Sequence, residues 1–397
     1  MKSYKILTLG ASGAGKTVFM ASMFRSLSTQ GEYGFYLEAE DFNQQRRLNQ
    51  IYTELIAGGK WPRANIAGNI DEWRFTCCIR NPNLENFPIC EFIYFDYAGD
   101  RFTRMDKEDY QLQEIIKQAD AILGLLDGQK IQALMNNNNE QKIDNFLNED
   151  LPPIIKWMSY CQAPIQFVIS KWDLLENDNF GLKEISDHLL KIPEFKELVV
   201  NRNKEGSPVR LIPVSSIGSG FATPQPDGSM KKIAGSIPRP FHMGVPVSCV
   251  IPDILEKEVQ VNLKRLTNIN DKNIGEDSIL NQFLRATLKF KMLIDITLNF
   301  LVSVILDEEK YEEQLLIKFI KEALKKVDDL VFARVQKRLQ KNDKQLAELR
   351  EIRDESILKI NDETTALKSA ITTFIYISNK LTEDFPDSEI IVDKLKQ

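Results

Sequence analysis

Between Glu276 and Phe385 the chain has neither glycine nor proline, although it carries 19 glycines and 16 prolines; beyond Gly275 only Pro386 remains. These residues punctuate loops, so their absence over such a length excludes frequent tight turns and predicts continuous helices after a loop-rich domain. A basic excess is also lacking. The formal charge of -6 argues against generic nucleic-acid binding, and no nucleic-acid partner is expected. The five cysteines, Cys77, Cys78, Cys90, Cys161 and Cys249, show no C-x-x-C spacing and are accompanied by only two histidines. That supports neither a zinc site nor a disulfide framework, and the cysteines read as small buried hydrophobes in a reducing, cytoplasmic setting. Long apolar runs are missing as well. Residues 292–306, the most apolar later stretch, include Asp295 and are too short to span a bilayer, so no transmembrane segment is expected. With an apolar β-type run so near Met1, no signal peptide is expected.

What is present is the composition of an ordinary folded protein, with 397 residues, 43% hydrophobic and 27% charged, enough for two domains. The change in glycine and proline content sets the boundary. Residues 1–266 read as an α/β domain, the polar stretch 267–275 as a linker, and residues 276–397 as an all-α domain.

The first domain is organised around Lys5 to Thr17. An apolar run through Ile6, Leu7 and Leu9 enters Gly10-Ala11-Ser12-Gly13-Ala14-Gly15-Lys16-Thr17, and Val18 opens a helical stripe through Phe24 and Leu27. Strand, glycine-rich turn and helix is the context that the G-x-x-x-x-G-K-[ST] pattern requires. Such patterns recur by chance, but here the local structure agrees with them. Gly10, Gly13 and Gly15 let the backbone curl so that successive N–H groups point inward, and the helix dipole adds positive potential, making an anion cradle. Lys16 would reach β- and γ-phosphates, and the Thr17 hydroxyl would take a place on Mg²⁺.

Downstream, residues 34–41 read as a short strand, residues 42–59 as a helix, and residues 73–80 and 89–96 as a hairpin. A helix over roughly 106–118 precedes the wholly apolar strand 121–127. An Asn-rich loop, a helix over about 142–161, a strand ending at Ser170, a helix near 182–190 and a strand at 209–215 complete the domain. Strands alternating with helices predict a mainly parallel sheet covered on both faces, whose ligands sit beyond the carboxyl ends of the strands.

Three more turns fall at such ends. Asp96 closes one strand before Tyr97-Ala98-Gly99-Asp100, where a carboxylate suits a Mg²⁺ held through water and the Gly99 N–H meets a γ-phosphate. Taken alone, an Asp-Gly turn after a strand is commonplace. Ser170-Lys171-Trp172-Asp173 closes the next suitable strand. A fixed Asp173 carboxylate would accept from guanine N1–H and the exocyclic amine, whereas adenine would leave it unpaired; helix capping is the ordinary alternative. The Lys171 stem would lie along the base. Ser215, Ser216 and Ile217 follow the last strand, where a backbone N–H, that of Ser216, would meet guanine O6; a plain strand-to-loop transition is the alternative.

The ordered set GASGAGKT, DYAGD, SKWD and VSSIG resembles the Ras-like P-loop GTPases of the translation-factor-related class, over about residues 1–265, and the extra segment 34–59 is similar to the bacterial double-GTPase type. The resemblance implies a P-loop fold, binding of GTP and GDP with Mg²⁺, and slow hydrolysis coupled to switch-loop movement, with Lys16, Gly99 and Asp100 in catalytic roles. The match has gaps. Between Glu54 and Phe75 there is neither Thr nor Ser to serve as the usual switch ligand; Asn65 stands in the expected place, as a weaker magnesium ligand or as plain connection. Asp100 replaces the usual water-orienting glutamine, which implies slow or partner-dependent turnover. Arg101 and Arg104 would act either as a finger in cis or as partners of Asp106 and Glu108. Ser170 replaces the commoner Asn or Thr, its hydroxyl still able to tie back to the phosphate loop.

In the helical half, apolar residues recur in steps of three and four from Leu316 to Leu339 and, after a skip, resume in a more broken series from Leu346 to Phe374. This suits a bundle of long helices or a coiled coil, acting as effector or assembly element through a protein partner or a second copy. The expected function is a GTP-hydrolysing switch. The alternatives are a nucleotide-binding scaffold with little hydrolysis, or an ATPase using the same turn, which Asp173 opposes.

Overall fold

The computed structural model describes residues 1–57, 61–62, 70–81, 84–97, 110–225, 229–270 and 342–392. β1 (Ser3–Leu9) leads into α1 (Lys16–Ser26), followed by β2 (Tyr36–Ala39), α2 (Phe42–Ala57), β3 (Ile70–Asn81) and β4 (Leu84–Tyr97). Next come α3 (Tyr110–Gln118), β5 (Ala121–Asp127), α4 (Gly128–Asn136) and α5 (Glu140–Asp144), which continues through a π-helical turn (Asn145–Asp150) into α6 (Leu151–Ser159). β6 (Ile165–Ser170), α7 (Trp172–Asn177), α8 (Leu182–Leu189), α9 (Pro193–Glu205) and β7 (Val209–Pro213) complete the main sheet. A small hairpin of β8 (Ala222–Pro224) and β9 (Met230–Lys232) precedes three long helices, α10 (Val245–Asn270), α11 (Asn342–Leu358) and α12 (Glu363–Asp384).

The main sheet has seven strands in the order β2-β3-β4-β1-β5-β6-β7. β4, β1, β5, β6 and β7 run parallel, while β3 is antiparallel to both β2 and β4. The parallel strands are buried on both faces, as their apolar sequences require; all seven residues of β5 are buried. Alternation divides them between two cores. Ala121, Leu123 and Leu125 enter one with α1, α10 and α12. Ile122 and Leu126 enter the other with α3, α6, α8 and α9. The chain leaves β1 toward β4 on one side and returns past it to β5 on the other, so the order reverses at β1, where parallel α/β sheets leave a crevice for ligands.

Several expected elements match in place and kind: the segment 34–41, the hairpin, and the strands ending at Asp127 and Ser170. α4 occupies the first part of the expected Asn-rich loop because Asp127 caps it, accepting from the Gln129 N–H at 2.9 Å. Residues Phe19 to Phe24 of α1 are all buried rather than forming one stripe, because this helix is enclosed within the core that α10 and α12 help to build. α10 runs to Asn270, so the first part of the expected linker, 267–270, is helical; the rest of it lies outside the described residues.

The segment set apart by sequence as a helical domain does not pack by itself where it is described. Leu349, Ile360, Leu367, Ile371 and Phe374 share one core with β1, β4 and α1. Phe374 meets Phe35 at a ring-centroid distance of 4.9 Å and Phe92 at 6.5 Å. After α12 the chain turns beside β7, where the Ile390 N–H donates to the Val209 carbonyl at 2.9 Å and the Val392 N–H to Asn203 Oδ1 at 2.9 Å, covering an edge that would otherwise be open. α10 is tied to the sheet by a buried ion pair, Arg210 Nε to Asp253 Oδ1 at 2.5 Å, with Gln166 Nε2 donating to the second carboxylate oxygen at 3.0 Å. Burial pushes the Asp253 carboxyl up to about 6 against the pull of Arg210. The run 292–306 and the series from Leu316 to Leu339 lie outside the described residues, among which no helix is long and apolar enough to cross a membrane.

Phe374→Ala would leave a cavity between α12 and the sheet. It is expected to cost about 3–5 kcal/mol in a denaturant titration, whereas a loss under about 1 kcal/mol would mean that α12 does not belong to this core.

Candidate functional site

The glycine-rich turn follows β1 directly. Gly13 and Gly15 have φ of 84° and 91°, left-handed values that glycine adopts without Cβ strain. Gly10 serves differently: a Cβ there would stand 3.1 Å from the Leu125 carbonyl oxygen, so the turn passes hard against β5. The Ala14 N–H closes the turn on the Ala11 carbonyl at 3.2 Å. Ala11 and Ala14 are buried while Ser12 is exposed. No side chain caps the start of α1, where Lys16, Thr17 and Val18 are half-buried. Lys16 folds back, donating from Nζ to the Gly10 carbonyl at 2.6 Å and the Ala11 carbonyl at 3.1 Å.

Asp96 stands one strand away. It is 2% exposed near the end of β4, opposite Thr8 of β1 and Asp71 of β3. The sequence assigns it the end of a strand; β4 runs one residue further, to Tyr97, and the sheet sets it beside the strand that feeds the turn. Asn65, Gly99, Asp100, Arg101 and Arg104 lie outside the described residues.

The turn after β6 and the turn after β7 meet. The Trp172 N–H donates to the Val214 carbonyl at 3.0 Å, and the Ser215 hydroxyl donates to Asp173 Oδ1 at 2.5 Å while accepting from the Gly218 N–H at 2.8 Å. Asp173 is 4% exposed, and Ser216 is half-buried. Ile217 joins a small cluster with Leu55, Phe221 and Ala222, against which Val18 of α1 also packs. That cluster brings the residues after the glycine-rich turn together with the loop that holds Asp173. Ser170 departs from expectation: its hydroxyl donates to the Leu126 carbonyl at 3.1 Å rather than to the glycine-rich turn, since β5 lies beside β6 while β1 is one strand further away. Lys171, in the left-handed region at φ 53°, directs its ammonium to Asp127 Oδ2 at 2.8 Å.

Two features have no counterpart among the sequence assignments. Asp127 ends the apolar strand AILGLLD in register with Ser170, and the signal for it is a lone carboxylate at the carboxyl end of an otherwise apolar strand. Trp61 donates from Nε1 to the Met230 carbonyl at 2.5 Å, and Lys232 Nζ to the Glu54 carbonyl at 3.0 Å, fastening α2 and the start of the following segment to the β8–β9 hairpin. These pairs are 169 and 178 residues apart and have no local pattern.

Chemically, the rim offers a curled backbone and a lysine suited to phosphate, a hydroxyl and a buried carboxylate suited to a hard cation, and a second buried carboxylate suited to paired N–H donors. Among the described residues no three His, Cys, Asp or Glu side chains cluster as a metal site, and the five cysteines are free and buried. No protein-family model matches the chain, and none of the curated proteins compared with it is similar to it at a significant level.

Burial holds the Asp173 carboxyl above its ordinary range, with the Ser215 hydroxyl partly opposing. The folded protein therefore keeps this proton to higher pH than the unfolded chain, so ionisation lowers stability as pH rises through that window, and the whole cost is present above it. Asp173→Asn keeps an acceptor for Ser215 and removes the charge. It is expected to raise the thermal midpoint of the ligand-free protein at about pH 7 and to lose that advantage near pH 3, below the ordinary carboxylate range. A lower midpoint at neutral pH would contradict the burial argument.

Proposed function

We propose that this chain is a guanine-nucleotide switch of the Ras-like P-loop kind, binding GTP and GDP with Mg²⁺ and hydrolysing GTP slowly. The observation that carries this reading is the joining of two distant turns: Ser215 holds Asp173 at 2.5 Å, and Ile217 packs in the cluster that Val18 reaches. A phosphate cradle and a carboxylate fitted for guanine thereby share one rim.

In this reading the amides of Gly10 to Thr17 and the ammonium of Lys16 hold the phosphates. Lys16 would exchange its two loop carbonyls for phosphate oxygens as the nucleotide enters. Thr17 and Asp96 supply hard oxygen donors from α1 and β4, which fits Mg²⁺ with the phosphates and water completing the shell. Bound there, the ion would neutralise charge on the transferring phosphoryl. Asp173, already held by the Ser215 hydroxyl, accepts the two guanine donors, and adenine would leave the buried carboxylate without them, the kind of mismatch that discriminates by a factor on the order of 10⁴. Gly99 and Asp100 remain the candidates for the γ-phosphate contact and the water-orienting group. The absence of Thr and Ser between Glu54 and Phe75 favours slow turnover, and with it a second reading as a nucleotide-bound scaffold that hydrolyses little.

Output would pass through the C-terminal helices to a protein partner or a second copy. Support comes from Phe385, just past α12, whose ring lies 5.9 Å from that of Trp172, the residue between Lys171 and Asp173.

Nucleotide titrations test the assignment. Lys16→Ala is expected to weaken GTP binding by about 100-fold or more, by loss of a charge-assisted phosphate contact. Asp173→Ala should narrow the preference for GTP over ATP by a comparable factor. Equal affinity of both variants and the unaltered protein would refute the site, and turnover of the unaltered protein separates switch from scaffold.

A further inference from the structure

We infer that Asp127 is a positioning residue for the base-recognition turn, holding Lys171 and the start of α7 in place without itself touching the nucleotide. The inference rests on the guanine reading of Asp173 for its functional consequence, but its geometry stands independently. Asp127 uses its two oxygens for two elements: Oδ1 accepts from the Gln129 N–H at 2.9 Å and starts α4, while Oδ2 takes the Lys171 ammonium at 2.8 Å. The two side chains are 8% and 24% exposed, so the pair is shielded from water on the carboxylate side. Lys171 is one of five non-glycine residues with positive φ among the described residues, a conformation that must be held by its surroundings.

The rest of α4 repeats the clamp. Gln132 Nε2 donates to the Leu174 carbonyl at 3.2 Å and to Asp178 Oδ2 at 2.9 Å, and Asn136 Nδ2 donates to the same oxygen at 2.8 Å. Gly128 brings the two backbones so close that a Cβ would stand 2.1 Å from the Ser170 carbonyl oxygen. α4 therefore acts as a splint along α7, with Asp127 fastening the end nearest Asp173. A lysine stem makes a firm apolar floor for a flat ring only when its ammonium is tied off, since otherwise its four rotatable bonds must be ordered on binding. Asp127 supplies that tie before any ligand arrives.

Capping of α4 alone would explain part of this arrangement, so the test keeps the cap. Asp127→Asn retains an N-cap acceptor and removes the charge that holds Lys171. Three readouts on the full chain are compared with the unaltered protein: thermal unfolding, amide hydrogen exchange at Trp172 and Leu174 without ligand, and calorimetric affinity for GDP and for inorganic pyrophosphate. The expected result is an unchanged midpoint, about tenfold faster exchange at both amides, about tenfold weaker GDP binding and unchanged pyrophosphate binding, the scale of one lost charge-assisted contact. Exchange rates unaltered by D127N would overturn the positioning role, as would an equal loss for GDP and pyrophosphate. Should the unaltered protein bind pyrophosphate but not GDP, the guanine reading falls, and faster exchange in D127N would still uphold the role of Asp127. Lys171→Met removes the other partner and should give the same faster exchange, with no further effect of adding D127N, so a variant that unfolds does not block the comparison.

Discussion

The hydrogen bond from the Ser215 hydroxyl to Asp173 is the contact on which the proposed site depends. It joins the turns after β6 and β7, and the Gly218 N–H in turn orients the hydroxyl, so a buried carboxylate is aimed by a chain of single-donor contacts. Parallel pairing sets up that meeting. Because β1, β5, β6 and β7 run the same way, their carboxyl ends open on one rim, and residues distant in sequence arrive there together. Antiparallel neighbours would have sent every second turn to the far side.

The same rim carries strain that the rest of the fold must outweigh. A carboxyl kept above its ordinary range by burial destabilises the folded protein at neutral pH, and a lysine at positive φ adds backbone cost. Against these stand two extensive cores, one on each face of the sheet, and the buried anchorage of α10 through Asp253, Arg210 and Gln166. Stability accumulates in the layers, and the costly groups gather where a ligand would repay them.

α12 changes how the chain is divided. Phe374 reaches Phe35 and Phe92, and the residues after the helix line the free edge of β7, so the described end of the helical half is built into the α/β layers. The ring of Phe385 then touches Phe241 and Trp172, which stand beside the two turns that hold Asp173. A displacement of those turns would be felt at the end of α12 through direct packing, which is the physical basis for the proposed output through these helices.

Sequence alone determined the elements whose signals are local: the apolar strands ending at Leu9, Asp127 and Ser170, the hairpin of β3 and β4, and the glycine-rich turn with its two left-handed glycines. These rest on periodicity, on φ freedom and on turn chemistry, all contained within a few neighbouring residues. It also placed Asp96 and Asp173 at the ends of strands; the structure has Asp96 one residue before the end of β4 and Asp173 past β6, in the first turn of α7. Only the tertiary structure decided which strand ends are neighbours, and therefore that Asp173 receives Ser215, that Lys171 goes to Asp127, and that Ser170 binds β5 instead of the first turn. Tertiary packing also decided that α12 joins the sheet, since a helical stripe shows that an apolar face must be covered and carries no information about the surface that covers it.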